Sequence, residues 1–189
     1  MVRIVCRAFC ARFFFFFMKQ TAKKEQKLNT LGNRGRALED LLEAAFDSDS
    51  ETCMFRQSNR IVLLRDGRAF PQKGAPVDFV GVVRGVPVVV ECKETKANRL
   101  PLNKSRFPEN EITALQRFSD SGGSSFVVAA FWKHNRIAVF SFRTFKGLMS
   151  YRKSVYPEDA DVVFPVSKVK KITEVFQLHD NISRQRRNS

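Results

Sequence analysis

Histidine is almost missing from this chain: His134 and His179 are the two among 189 residues, and each reads as an isolated surface or loop residue, not a catalytic base. Cysteine is sparse as well. Cys6, Cys10, Cys53 and Cys92 form no CxxC pair, and no Cys/His cluster has zinc spacing. This argues against a structural zinc site and a disulfide framework, and for reduced thiols in a cytoplasmic setting. No apolar run is long enough to span a bilayer. The longest aromatic stretch, Phe13–Phe17, is short and preceded by Arg3, Arg7 and Arg12, and it lacks the h-region and small-residue cleavage site of a signal peptide. Having arginine and no acid, residues 1–17 share the composition of a mitochondrial-type presequence. They are expected to lie outside the fold, with Met18 as the natural start and no membrane attachment. Acid is in deficit, 19 Asp and Glu against 33 Lys and Arg, for a formal net charge of +14. Such a charge fits a polyanionic partner better than a merely solvated surface. No internal repeat is visible.

What is present suits one globular domain. The chain is 43% hydrophobic and 28% charged, enough to build a core at this length. Residues 1–31 read as a basic, flexible extension carrying Lys19, Lys23, Lys24 and Lys27, residues 32–178 as the folded domain, and 179–189 as a basic tail with Arg184, Arg186 and Arg187. A helix is expected from about Asn33, because Leu38, Leu41, Leu42, Ala45 and Phe46 recur at helical spacing. A loop follows, then a strand over 60–64, a turn at Asp66-Gly67 and a Pro/Gly connection over 70–76. Pro108 opens a second helix carrying Glu111, Ile112, Leu115, Gln116 and Phe118. Apolar strands are expected over 126–132 and 136–142, a short helix over 145–151, and a last amphipathic segment over 167–178. This order predicts an α/β sandwich with a mixed central β-sheet flanked by helices.

The stretch from Val77 to Lys93 carries the chemistry. Arg84-Gly85 is a plausible two-residue turn, so Val83 faces Val86 and, counting outward, Asp78 faces Glu91. Facing residues share one face of the sheet, with Cβ atoms roughly 4.5–5.5 Å apart. Lys93 lies two residues beyond Glu91 and projects from the same face. Opposed acids are destabilising in a sheet, and a divalent cation is the simplest compensation. A solvated surface hairpin is the alternative, but Val86, Val88, Val89 and Val90 read as a strand covered on both faces. Mg²⁺, with Mn²⁺ as a substitute, prefers carboxylate and water oxygens. Held by Asp78 and Glu91, it would activate a water for attack on a phosphate, with Lys93 as the compact positive charge beside it. Glu39 and Glu111 are further acids on the polar margins of the two helices.

Asp78 followed by Glu91-x-Lys93 resembles the PD-(D/E)xK nuclease superfamily. The resemblance tightens over residues 32–150. Asn33-Arg34-Gly35-Arg36-Ala37-Leu38-Glu39, Asp78-Phe79-Val80-Gly81, Glu91-Cys92-Lys93-Glu94-Thr95, and the helix from Glu109 with Gly122-Gly123 and Phe126 look like successive motifs of RecU-type Holliday junction resolvases. The resemblance implies a restriction-endonuclease-like fold. It also implies a homodimeric Mg²⁺-dependent endonuclease cutting four-way DNA junctions in recombination and repair. Asp78 and Glu91 would then bind metal and Lys93 would stabilise the transition state. The family's metal-binding Gln falls on Glu111, with Gln116 one turn later as a weaker candidate. A family Thr falls on Pro76, which offers only its backbone carbonyl. The family's junction-entering stalk would be the short hairpin around 60–73, with Arg65, Arg68 and Lys73. Arg34, Arg36, Lys96 and Arg99 are further expected DNA contacts. The alternatives are a related nuclease acting on other DNA and a non-catalytic DNA-binding protein of the same fold.

Overall fold

The computed structural model describes residues 36–57, 61–63, 69–71 and 75–185, with side chains described over 36–57 and 75–178. The chain divides into a unit ending at Ala37 and a unit Leu38–Ser189, to which the sheet belongs. In order, the elements are α1 (Ala37–Asp47), β1 (Thr52–Arg56), β2 (Ile61–Leu63), β3 (Ala69–Pro71), β4 (Phe79–Val83), β5 (Val86–Thr95), β6 (Leu100–Pro101), α2 (Glu109–Asp120), β7 (Ser124–Phe131), β8 (Arg136–Ser141), α3 (Phe142–Tyr151), β9 (Ser154–Val155), β10 (Val162–Pro165) and α4 (Ile172–Gln185). The last helix runs on past residue 178 to Gln185.

Six strands form the main sheet in the order β1-β4-β5-β7-β8-β10. All neighbours are antiparallel except β5 and β7, which run parallel through the α2 crossover. The sheet is therefore mixed, as expected. The β4–β5 register is the predicted one, from Val83↔Val86 out to Phe79↔Val90. Arg84 (φ 50°) and Gly85 (φ 80°) both adopt the left-handed region that such a turn demands. Arginine is unfavourable there, and other bonds hold it. Its amide donates to the Glu51 carbonyl (2.8 Å) and its Nε to Asp49 (3.1 Å).

The two faces of the sheet bury separate cores. Leu38, Leu42 and Phe46 of α1 and Phe176 of α4 pack on Phe79, Val88, Val90 and Phe126. Leu115 of α2 and Phe145 of α3 pack on Val89, Val127, Phe131 and Phe140 of the opposite face. Strand β5 alternates between them, because successive side chains leave opposite faces. Its even-numbered residues turn toward α1 and its odd-numbered ones toward α2.

Some elements differ from expectation. Residues 52–56, expected as loop, form edge strand β1, with Phe55 62% exposed. Its inward positions, Thr52, Met54 and Arg56, include polar residues, which hides the alternation. Residues 69–71, expected as a connection, pair with 61–63 in a separate two-stranded ladder. The hairpin expected around 60–73 thus exists in backbone, while Arg65, Arg68, Lys73 and also Arg34 lie outside the described residues. Strands β6, β9 and β10 were too short to stand out by pattern.

Candidate functional site

Where β4 stops at Phe79, β5 continues for five more residues, and the candidate acids gather at that step. Asp78 does not complete a strand pair with Glu91, as counting from the turn predicts. Its amide donates instead to the Val90 carbonyl (3.1 Å), its own carbonyl accepts from the Gln57 amide (2.7 Å), and its carboxylate folds back onto the Cys92 amide (2.6 Å). These three bonds fix Asp78 at the mouth where β1, β4 and β5 meet. The Asp78 carbonyl continues the β1–β4 register, so the departure from a regular pair with Glu91 lies in the amide, which turns to Val90.

Glu91 is 3% exposed. It leaves the α2 face of β5 together with Lys93, whose ammonium contacts Glu91 Oε1 directly and reaches Glu111 Oε2 at 2.9 Å. The ammonium also lies 5.3 Å from the centre of the Phe107 ring. Asp78, Glu91, Lys93 and Glu111 therefore share one small region, as the sequence predicts. Glu111 enters it because Pro108 starts α2 just beyond the loop that follows β5.

The electrostatics follow from burial and crowding. Burial raises the Asp78 carboxyl, with Glu39 and Glu111 adding to it, against the lowering effect of the Cys92 amide and Lys93. Burial also raises Glu91, and the charges of Asp78 and Glu111 add to the effect despite Lys93. For Lys93, burial works against the ammonium, but Glu91 and Glu111 outweigh it and the group is raised. Three acids thus share one nearby counter-charge. Among the described residues no group of three or more Asp, Glu, His or Cys side chains is placed so as to hold a metal ion. The Lys93 ammonium stands between Glu91 and Glu111.

The remaining candidates separate. Glu39 faces this region from α1, close enough to raise Asp78, but Arg56 holds it through Nε at 2.9 Å and through Nη2. Arg56 also reaches Asp40 (2.7 Å) and Glu43 (3.2 Å). Gln116 is not at the site. Its amide nitrogen donates to Asp120 (2.7 Å) and its oxygen accepts from Lys146 (2.6 Å). Five residues at about 100° each carry it to another side of α2 from Glu111. Pro76 is exposed in the bend before Asp78, and Arg36, Lys96 and Arg99 are exposed.

Two supporting residues escaped the sequence reading. Arg56 is one, and its signal was its in-phase position with Met54 on β1. Glu94 is the other. Its carboxylate accepts from the Leu38 amide in the first turn of α1 (2.7 Å) and from Trp132 Nε1 (2.8 Å), so it docks that helix onto the strand bearing Glu91 and Lys93. Its even parity on β5 already set it apart from them.

Comparison with known proteins adds the following. The family model described as RecU, Recombination protein U, matches residues 33–170. No curated protein matches the chain. Among solved structures, Archaeoglobus fulgidus Hjc, a Holliday junction resolvase from an archaeal hyperthermophile, is similar at 16% identity and a TM-score of 0.41, over 70% of this chain and 93% of that one.

Proposed function

Since the chain belongs to the RecU family, we propose that it is a Mg²⁺-dependent endonuclease that cuts four-way DNA junctions as a homodimer, in cytoplasmic recombination and repair. The observation that carries this reading is the meeting of Asp78, Glu91, Glu111 and Lys93 at one step of the sheet. The net charge of +14 on the whole chain suits a polyanionic substrate. A four-way junction offers shape and phosphates more than base edges, and two symmetric cuts call for two copies of one site.

The donor set fits a hard divalent cation. Asp78, Glu91 and Glu111 supply only carboxylate oxygens, and burial leaves Glu91 in want of positive charge. These three residues would hold the ion, with Mn²⁺ able to replace Mg²⁺. When bound, the ion supplies Lewis-acid polarisation of a phosphate and an acidified water. The chain's own contributions are positional. Two main-chain amides and one main-chain carbonyl fix Asp78. Glu111 and the Phe107 ring keep the Lys93 ammonium at the site, where a point charge stabilises negative charge developing on the phosphate.

The test compares a synthetic four-way junction with duplex and flap DNA, with and without Mg²⁺ or Mn²⁺. The expected result is cleavage of the junction alone, only with metal. Asp78→Ala should bind the junction normally and lose cleavage by on the order of 10³-fold. Equal cutting of all three substrates would replace this reading with a general nuclease. Binding without cleavage by the wild type would replace it with a DNA-binding module.

A further inference from the structure

Four Lys and Arg side chains among the described residues are half-buried: Arg56, Arg84, Lys93 and Arg106. The first three meet carboxylates, at Glu39, Asp49 and Glu91 respectively. Arg106 makes no ion pair among the described residues. One Nη donates to the Glu94 main-chain carbonyl, and its Nε is buried with no hydrogen-bond partner. A half-buried guanidinium without an acid is an uncompensated charge, and an anion is what it lacks.

Its place tells which anion. Along a strand, alternate residues aim their main-chain groups at the same edge. Val90, Cys92 and Glu94 therefore share the edge of β5 that β4 leaves open beyond Phe79. Asp78 occupies the first two stations, its amide on the Val90 carbonyl and its carboxylate on the Cys92 amide. Arg106 occupies the third, on the Glu94 carbonyl. The guanidinium thus follows the Asp78 carboxylate along one open edge, and the next residue, Phe107, carries the ring beneath Lys93. The backbone at Arg106 is also set, since its amide donates to Asn103 through both the carbonyl (3.0 Å) and the side-chain oxygen (2.9 Å).

We propose that Arg106 binds the phosphate at which the DNA strand is cut, seating the backbone against the acidic step. Lys93 is already held by Glu91 and Glu111, whereas Arg106 makes no ion pair among the described residues. A planar guanidinium gives two parallel donors to a phosphate, which an ammonium does not. This inference rests on the nuclease reading and adds a substrate contact to it.

The experiment first maps the cut on a four-way junction with wild-type protein and Mg²⁺. Junction binding is then measured in Ca²⁺, with either a phosphate or a neutral methylphosphonate at the mapped position. Arg106→Ala should bind the phosphate junction roughly tenfold more weakly than wild type, with Arg106→Lys between them. On the methylphosphonate junction all three should agree to within about twofold, because the contact is already gone. Melting temperatures are recorded alongside. Should Arg106→Ala not fold, the same cycle with Arg106→Lys, which keeps a donor for the Glu94 carbonyl, decides the matter. A loss equal on both junctions, or no loss, overturns the Arg106 contact while leaving the nuclease reading in place. A wild-type protein that makes no cut overturns both.

Discussion

Glu91 and Glu94 stand three residues apart on one strand and leave it by opposite faces. Glu94 meets two neutral N–H donors, the Leu38 amide and the Trp132 indole, at the positive end of a helix. Glu91 meets the charges of two other acids and shares one ammonium with Glu111. The first arrangement satisfies a carboxylate; the second leaves negative charge in excess. A strand that needed two structural acids would surround both with donors. The α1 face therefore holds the framework, and the α2 face holds a site whose balance is completed from outside.

Neutralising each acid breaks this comparison most sharply. Glu91→Gln should lower metal-dependent cleavage by on the order of 10³-fold. Its metal-free stability should stay within about 1 kcal/mol of wild type, because a buried and opposed charge is removed. Glu94→Gln should do the reverse. It should lose about 1–2 kcal/mol of stability, since an amide cannot accept from both donors, and retain cleavage in proportion to folded protein. Chemical denaturation with and without Mg²⁺ checks both. Mg²⁺ at about 100 times its Kd should add about 2.7 kcal/mol to wild type and Glu94→Gln, and little to Glu91→Gln. If Mg²⁺ stabilises Glu91→Gln as much as wild type, the division between the two faces is wrong.

A change on the framework face sharpens the comparison from the other side. A Cβ at Gly81 would fall on the Cys53 carbonyl and the Met54 Cα of the neighbouring strand β1. Backbone cannot yield as a flexible side chain would, so Gly81→Ala must push β1 away from β4. Arg56 sits at the end of β1 and holds Glu39, Asp40 and Glu43 of α1. The expected cost is about 2–3 kcal/mol, read as a lower denaturation midpoint. Mg²⁺ should still stabilise the folded fraction, since Asp78, Glu91 and Glu111 are unaltered.

The legible parts of the site were those that depend on local geometry. The Arg84-Gly85 turn set the register, and parity along β5 put Glu91 and Lys93 on one face. The family resemblance, aligned on Gly122, led to Glu111, and α2 delivered it. What stayed hidden depends on partners distant in sequence. Nothing near Asp78 announces that its amide turns to the Val90 carbonyl and its carboxylate to the Cys92 amide, in place of a regular pair with Glu91. Glu94 reads as one more polar residue until Leu38, 56 positions away, is seen to donate to it. Gln116, the weaker candidate one turn after Glu111, is carried by its angle on α2 to Asp120 and Lys146. Strand β1 escaped notice because its inward positions are Thr52, Met54 and Arg56, whose roles appear only beside α1 and β4.

The mildest test separates the two donors of Glu94. Trp132→Phe keeps an aromatic ring against the α1-side core and removes the indole N–H together with part of the bicyclic ring. Glu94 would keep the Leu38 amide, so one carboxylate oxygen loses one neutral donor. With the smaller ring, that should cost about 1–2 kcal/mol in denaturation and change cleavage by less than about twofold. A carboxylate held by two donors tolerates the loss of one, because the helix end still supplies positive potential. A much larger effect on cleavage than on stability would mean that Trp132 reaches the chemistry through Glu94 and β5. The strand would then transmit between its faces instead of separating them.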